Sequence, residues 1–381
     1  MDLLDYRHQM DEIDDQLVEL FQRRMNLAGE IAAYKKEKGL PILDAGRERE
    51  KVKAVCSKVA PAMRNFTSVL YSSLFELSRS YQSQQMQQFT DLSTRITKAI
   101  SETTPLFPQD VSVGICGVED SFAQLASEKL FRNPFVLYFN QYEGIFSAVE
   151  QGLCQYGIVP IEHSTAGSEK KIYDLMIQHH FSVVRSVRLK IDHNLLAKPN
   201  TKLEDVREIV ANEQTVGQCS AFLKALSPNI RVTVCDNATI AAKVVTDSPR
   251  NDIAVICSHN YMEMYGLKCL RSSVQDPENN HTRFFCISKN LEIYPGADCT
   301  SIVLAVPNKP GALYKLLARF YALGINITKL ESRSIPSRDF EILFYLDLET
   351  SIYSQEFVQI ICELSASSEE FTYLGSHSEV V

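Results

Sequence analysis

The sequence predicts a multidomain chain: an all-α segment of three helices, an α/β region, and a closing βαββαβ unit. Three observations carry this. Apolar residues recur by threes and fours across residues 1–90. From Val111 the pattern becomes short apolar runs alternating with amphipathic stretches. From about Thr300 the order reads strand, helix, strand, strand, helix, strand.

The first helix spans about residues 3–38, with Leu4, Met10, Ile13, Leu17, Leu20, Phe21, Leu27, Ala28 and Ile31 as its stripe. At 1.5 Å per residue it is about 50 Å long, which outgrows a small domain and invites a second copy of itself. Arg24 interrupts the stripe, and Lys35 follows about three turns later on the same face. Arg7 points roughly a quarter turn away. Gly39 and Pro41 end this helix; Asp44 is a good cap for a second, running to about residue 59 and carrying Arg47 and Glu48. A third runs over about 66–88, with Ser78 and Gln82 on one face. Residues 91–110, which include Pro105 and Pro108, read as a linker.

Strand-like runs follow at Val111-Ser112-Val113-Gly114-Ile115, at 136–139 and at Gly157-Ile158-Val159-Pro160-Ile161, with helices between them. The alternation continues to about residue 256 and argues for a sheet whose ligands bind at strand C-terminal ends. In the last region, residues 301–306, 325–332, 340–348 and 371–375 read as strands, with one helix opened by the stretch 308–313 and running to 323 and another over 354–364, a ferredoxin-like order.

With 381 residues, two or three domains are expected; 45% hydrophobic and 23% charged residues suffice for ordinary cores. A net charge of −8 argues against nucleic-acid binding. No apolar run is long enough to span a bilayer, and no signal-peptide pattern opens the chain, so a cytoplasmic protein is expected. The ten cysteines contain no C-x-x-C pair and lie mostly in apolar segments, which suits buried reduced thiols and no metal site.

Arg7, Arg24, Lys35, Asp44, Arg47, Glu48, Ser78 and Gln82 would together form a cationic pocket without a strong nucleophile, suited to a small dicarboxylate. This set and its spacing resemble the all-helical chorismate mutase family. The resemblance implies an intertwined dimer in which Arg7 serves the partner's site. It also implies that Arg24 and Arg7 clamp carboxylates with Ser78 and Arg47. Lys35 and Gln82 would donate to the ether oxygen, and Asp44 and Glu48 would hold the substrate hydroxyl. The implied chemistry is electrostatic preorganisation and orientation, with no covalent step.

Val159-Pro160-Ile161-Glu162-His163-Ser164-Thr165-Ala166-Gly167, Gly217-Gln218-Cys219-Ser220 and Thr282-Arg283-Phe284 resemble prephenate dehydratase motifs over about 111–290. The resemblance implies two α/β lobes with a site between them. Thr282 would sit near the leaving hydroxyl, Arg283 near a carboxylate, and Gln218 with the Glu162 loop would contribute hydrogen bonds. His163 stands where the family usually has Asn. Gly117-Val118-Glu119-Asp120-Ser121 replaces a Gly-Pro-Glu-Gly-Thr loop, and Ala211 stands where some members have Ser. Cys219 and Phe284 also suit core positions.

Gly311-Ala312-Leu313 and Glu331-Ser332-Arg333, within about 298–376, resemble the markers of an ACT domain, a regulatory module that in the dehydratase family binds phenylalanine. Tyr314 and Ser334 depart from the usual Val and Pro; Pro336 lies two further on. In order, the segments resemble the bifunctional chorismate mutase–prephenate dehydratases, or P-proteins. The expectation is a cytoplasmic homodimer or homotetramer acting on chorismate and prephenate, inhibited by phenylalanine, with no cofactor, nucleic acid or membrane. Open beside it stand a mutase whose dehydratase region is degenerate and a two-lobed region that senses an amino acid or aromatic acid.

Overall fold

The computed structural model describes residues 2–86, 91–119, 121–164, 167–226, 229–276, 280–334 and 342–381. Asp120, Thr165, Ala166, Pro336, the start of the strand expected at 340 and the helix end expected at 87–88 lie outside these residues. The chain divides into two compact units, Met1–Glu102 with Asp298–Tyr373 and Thr103–Ala297 with Leu374–Val381.

The first unit opens with α1 (Leu3–Lys38), started by a reciprocal cap between Asp2 and Asp5 and ended by Gly39 in the left-handed region. Asp44 accepts from the Arg47 amide at 2.9 Å and starts α2 (Ala45–Cys56). The long α3 (Arg64–Met86) packs against both. A Cβ on Gly29 of α1 would meet the Tyr81 ring at 3.3 Å, so glycine allows this approach. Most of the α1 stripe is exposed within this chain: Leu17 is 54% and Leu20 61% accessible, while Ala28 and Ala32 are buried. Part of the expected linker is helical: α4 (Asp91–Glu102) buries Leu92, Ile96 and Ala99. Its apolar spacing by three and four within a polar run explains both its folding and its linker-like composition.

The second unit begins with β1 (Ser112–Cys116), α5 (Phe122–Leu130), β2 (Phe135–Phe139), α6 (Tyr142–Glu150), β3 (Tyr156–His163), β4 (Gly167–Ser168), α7 (Lys170–His179) and β5 (Ser182–Lys190). The chain then crosses to a second sheet: β6 (Asn194–Ala197), β7 (Glu208–Asn212), α8 (Glu213–Gln218), α9 (Ser220–Ala225), β8 (Arg231–Cys235), α10 (Ala238–Asp247), β9 (Ile253–Cys257), α11 (Tyr261–Tyr265) and β10 (Lys268–Arg271). It returns as β11 (His281–Ser288) between β5 and β3. The second sheet runs β10-β6-β9-β7-β8. In the first, β1 pairs in parallel with β2 and β3, burying Val113, Ile115 and Ile158 against α5.

The last region contains β12 (Cys299–Val306), α12 (Ala312–Ala322), β13 (Asn326–Ser334), β14 (Ile342–Glu349), α13 (Gln355–Ser367) and β15 (Phe371–His377). Its sheet runs β13-β14-β12-β15, the ferredoxin-like βαββαβ topology. A short β16 (Glu379–Val380) pairs in parallel with β5 and completes the first sheet's order, β16-β5-β11-β3-β1-β2.

Candidate active sites

The front pocket is built on α1, α2 and α3. Arg24 is half-buried and directed inward: its Nη1 donates to Leu74 O at 3.0 Å and to Ser78 Oγ, and its guanidinium lies 5.5 Å from the Phe75 ring centre. Burial pushes its pKa down, against the opposing influence of Tyr71 and Glu48. Lys35, three turns on, donates from Nζ to Ile42 O at 2.6 Å. Ser78 and Gln82 are buried one turn apart on α3, and Gln82 Oε1 has no hydrogen-bond partner among the described residues. Such an unfilled polar group marks capacity for a ligand contact. Glu48 on α2 is half-buried; Asp44, Arg47 and Arg7 are exposed. Two residues that the sequence reading passed over belong here. Arg79 pairs with Glu48, and Glu76 pairs with Arg79. Their i,i+3 spacing on α3 was the available signal.

The second constellation lies where the two sheets of the second unit meet. Thr282 is directly opposite His163 in the antiparallel β11–β3 pair. The register shifts between Arg283 and Phe284, and this bulge matters. Without it, His163 would fall on the other face from Pro160; with it, His163 and Thr282 share a face, Nδ1 to Oγ1 at 2.9 Å. Thr282 is buried and His163 half-buried. Burial pushes the His163 pKa down, outweighing Glu169 and Glu162. Ser164 is tied to the same strand: its amide donates to His281 O and its Oγ accepts from the His281 amide, both at 2.9 Å.

Gln218 ends α8 and is buried; its Oε1 accepts from His193 Nε2 at 2.6 Å. His193 lies in the first crossing between the sheets, and its ring meets Phe122 of α5 edge-on at 5.9 Å. Asn280, in the second crossing, accepts from the Ile191 amide at 2.8 Å through its backbone carbonyl. Thr282 is two residues beyond Asn280 and His193 two beyond Ile191, so the Thr282–His163 and Gln218–His193 pairs border one junction. Asn280 is fully buried, and neither its Oδ1 nor its Nδ2 has a hydrogen-bond partner among the described residues; His193 Nδ1 has none either. No motif in the sequence singled out His193 or Asn280.

Arg283 departs from expectation. Strand alternation turns it away from Thr282, toward Glu379 Oε1 at 3.7 Å and over the Phe285 ring at 5.3 Å. Glu162 is opposite Arg283 in the ladder and therefore shares that side. Phe284 is buried in the core against α5. Gly217 and Cys219 flank Gln218, and Cys219, at the break between α8 and α9, is a buried thiol whose pKa is pushed up to about 12 by burial.

In the last region, Gly311 takes φ 81° and starts α12, a conformation that L side chains resist. Ala312 and Leu313 form the first turn of that helix, which packs on β13. Glu331, Ser332 and Arg333 lie on β13, an edge strand of the sheet on which α12 packs.

Residues 113–292 match the prephenate dehydratase family, and residues 6–83 match chorismate mutase type II. The arogenate dehydratase/prephenate dehydratase 2 of Arabidopsis thaliana is 32% identical over 307 residues, covering 74% of this chain and 80% of that protein. A bifunctional chorismate mutase/prephenate dehydratase of Aquifex aeolicus is 24% identical, covering 100% and 99%. The crystal structure of the Arthrobacter aurescens prephenate dehydratase in complex with L-Phe shares the fold, with a TM-score of 0.63 at 23% identity over 70% of this chain and 90% of that one. The chain belongs to the prephenate dehydratase family and, with a type II chorismate mutase segment ahead of the dehydratase segment, to its bifunctional branch.

Proposed function

We propose that this protein converts chorismate to prephenate in the front pocket and prephenate to phenylpyruvate at the junction of the two middle sheets. In the first reaction Arg24 and Lys35 face a substrate dianion. Breaking its C–O bond puts charge on the ether oxygen, where Lys35 and Gln82 donate. Ser78 and Arg47 assist the carboxylates, and Glu48 and Asp44 take the substrate hydroxyl. The pocket compresses and orients; no bond to the protein forms.

In the second reaction the carboxylate leaves as carbon dioxide, and its C–C electron pair enters the ring as the C–O bond breaks. The departing hydroxide needs a proton. When His163 Nδ1–H donates to Thr282 Oγ1, the Thr282 O–H is released to point at that hydroxyl. Gln218, Asn280 and His193 supply polar groups around the remaining carboxylate. Arg283 acts at a distance, through the strand it stabilises with Glu379. The observation that carries this reading is the 2.9 Å contact between His163 and Thr282.

The exposed stripe on α1 supports a homodimer, which would bring the exposed Arg7 of one copy to the pocket of the other. Whether two such dimers associate is a matter of measured mass. Phenylalanine is the proposed feedback effector, bound in an ACT domain where Gly311-Ala312-Leu313 meets Glu331-Ser332-Arg333. It acts only if it binds two arrangements of the protein unequally. The buried thiols Cys154, Cys257 and Cys286, each with its pKa raised by burial, suit a reducing cytoplasm.

The test is product analysis with chorismate and purified protein, with and without phenylalanine. Phenylpyruvate that falls on adding phenylalanine is the expected result. Prephenate accumulating without further conversion would leave a mutase with a sensing domain, and no turnover at all would reject both activities.

A further inference from the structure

Glu48 does not stand alone beside the front pocket. Arg79 on α3 pairs with it and, at the same time, with Glu76 one turn back. Glu76 also faces α12: Arg319 Nη2 and Nε lie 2.8 and 3.1 Å from its Oε2, and Lys315 Nζ lies 4.0 Å from Oε1, the oxygen that Arg79 meets. The line Glu48–Arg79–Glu76–Arg319 is unbroken, with side chains 25, 16, 12 and 20% exposed. Pairs this sheltered are unlike exposed ion pairs, which contribute little. Removing one member leaves a neighbour charged, desolvated and free to move.

The titration of the two central groups agrees with this geometry. Burial alone would raise Glu76 and lower Arg79; instead Glu76 is lowered by Arg319 and Arg79, and Arg79 is raised by Glu48 and Glu76. A second helix of the same region, α13, also reaches α3: Glu363 bonds to Ser83, the neighbour of Gln82. The helices of the βαββαβ region therefore grip the helix that carries Ser78 and Gln82.

We propose that Arg79, Glu76 and Arg319 are positioning residues of the mutase site, through which α12 sets the placement of the Glu48 carboxylate. This rests on the mutase reading of the front pocket. Because α12 begins at Gly311, anything that shifts this helix changes the hold on Glu48, and chorismate binding shifts the helix in return. Glu48 meets a substrate hydroxyl that is unchanged by the rearrangement. Misplacing it therefore weakens ground state and transition state alike and raises KM more than it lowers kcat.

The experiment uses the full chain with chorismate. Arg319→Met and Glu76→Gln each raise the chorismate KM about fivefold with kcat within about twofold of the parent, and Arg319→Lys restores most of the loss. Dehydratase kinetics on supplied prephenate stay unchanged. In a Glu48→Gln background, Arg319→Met adds nothing further, because the group that it positions no longer carries charge. Overturning results are an unaltered KM, an equal rise in the Glu48→Gln background, or a parallel fall in both activities, which marks a packing role. If the parent protein rearranges no chorismate, the mutase reading fails and takes this inference with it; turnover indifferent to Arg319 overturns this inference alone.

Discussion

His163 Nδ1 lies 2.9 Å from Thr282 Oγ1 because a bulge brings the two side chains to one face of the β3–β11 ladder. Thr282→Ala removes the hydroxyl and should cut kcat on prephenate by about two to four orders of magnitude, in the range of positioned acid catalysis. Thr282→Ser keeps the hydroxyl and should recover most of it. His163→Asn retains a donor and should outperform His163→Ala. Steady-state rates of phenylpyruvate formation decide, with mutase rates as the control.

The same histidine sets a pH dependence. Its pKa in the folded protein is pushed below the ordinary imidazole value by burial, against Glu169 and Glu162. Above about pH 6.5 neither folded nor unfolded chain carries a proton there, so its contribution to stability is complete. As the pH falls through that value the unfolded chain takes the proton first, and stability drops until the folded pKa is passed. His193 shifts in the same direction, chiefly through its own burial. Thermal unfolding at pH 7.5 and 5.5 should therefore show a smaller acid loss for His163→Asn than for the parent, with His193 common to both.

In the proposed mutase reaction Arg24 and Lys35 are the cations that meet the substrate dianion. Arg24→Met or Lys35→Met should lower kcat/KM on chorismate by about two to three orders of magnitude, comparable with loss of one preorganised donor. Dehydratase kinetics and the circular dichroism spectrum should stay as in the parent. Equal turnover of chorismate by either variant would reject the pocket.

The exposed stripe of α1 makes a separate demand. Ile13 and Leu17 are 52% and 54% accessible in the single chain. Replacing both by Glu should shift sedimentation to a lighter species and remove mutase activity, while dehydratase activity survives.

Gly311 makes the fifth prediction. At φ 81° a β-branched side chain is strained by about 1–2 kcal/mol, so Gly311→Val should raise the phenylalanine concentration for half-inhibition about tenfold. The measurement is dehydratase rate against phenylalanine.

Much of this was legible in the residues. The apolar stripe, the Asp44 cap and Gly39 mark α1 and the start of α2 because helix ends are local chemistry. The four strands and two helices of the last region follow from alternation. What stayed hidden was long-range. The Thr282-Arg283-Phe284 motif is plain in sequence, but the bulge that puts His163 rather than Glu162 opposite Thr282 depends on register with β3. The Gln218–His193 bond joins residues brought together by the crossing between sheets. Arg79 looks like any surface arginine until Glu48 and Glu76 are seen on either side of it. Residues 91–102 looked like spacer because their apolar positions are few; packing, not propensity, makes them a helix.

The chain's final turn back into the middle region orders its synthesis. Val380 pairs with Val187 of β5 and packs against the same core, Ser378 O accepts from the Ser186 amide at 3.1 Å, and Glu379 meets Arg188 at 2.5 Å. A ribosome that has already delivered β5 must still make almost two hundred residues before the rim of that sheet can be sealed. Until then a raw strand border lies open to neighbouring nascent chains, so early release by a premature stop codon would yield aggregates rather than a working fragment.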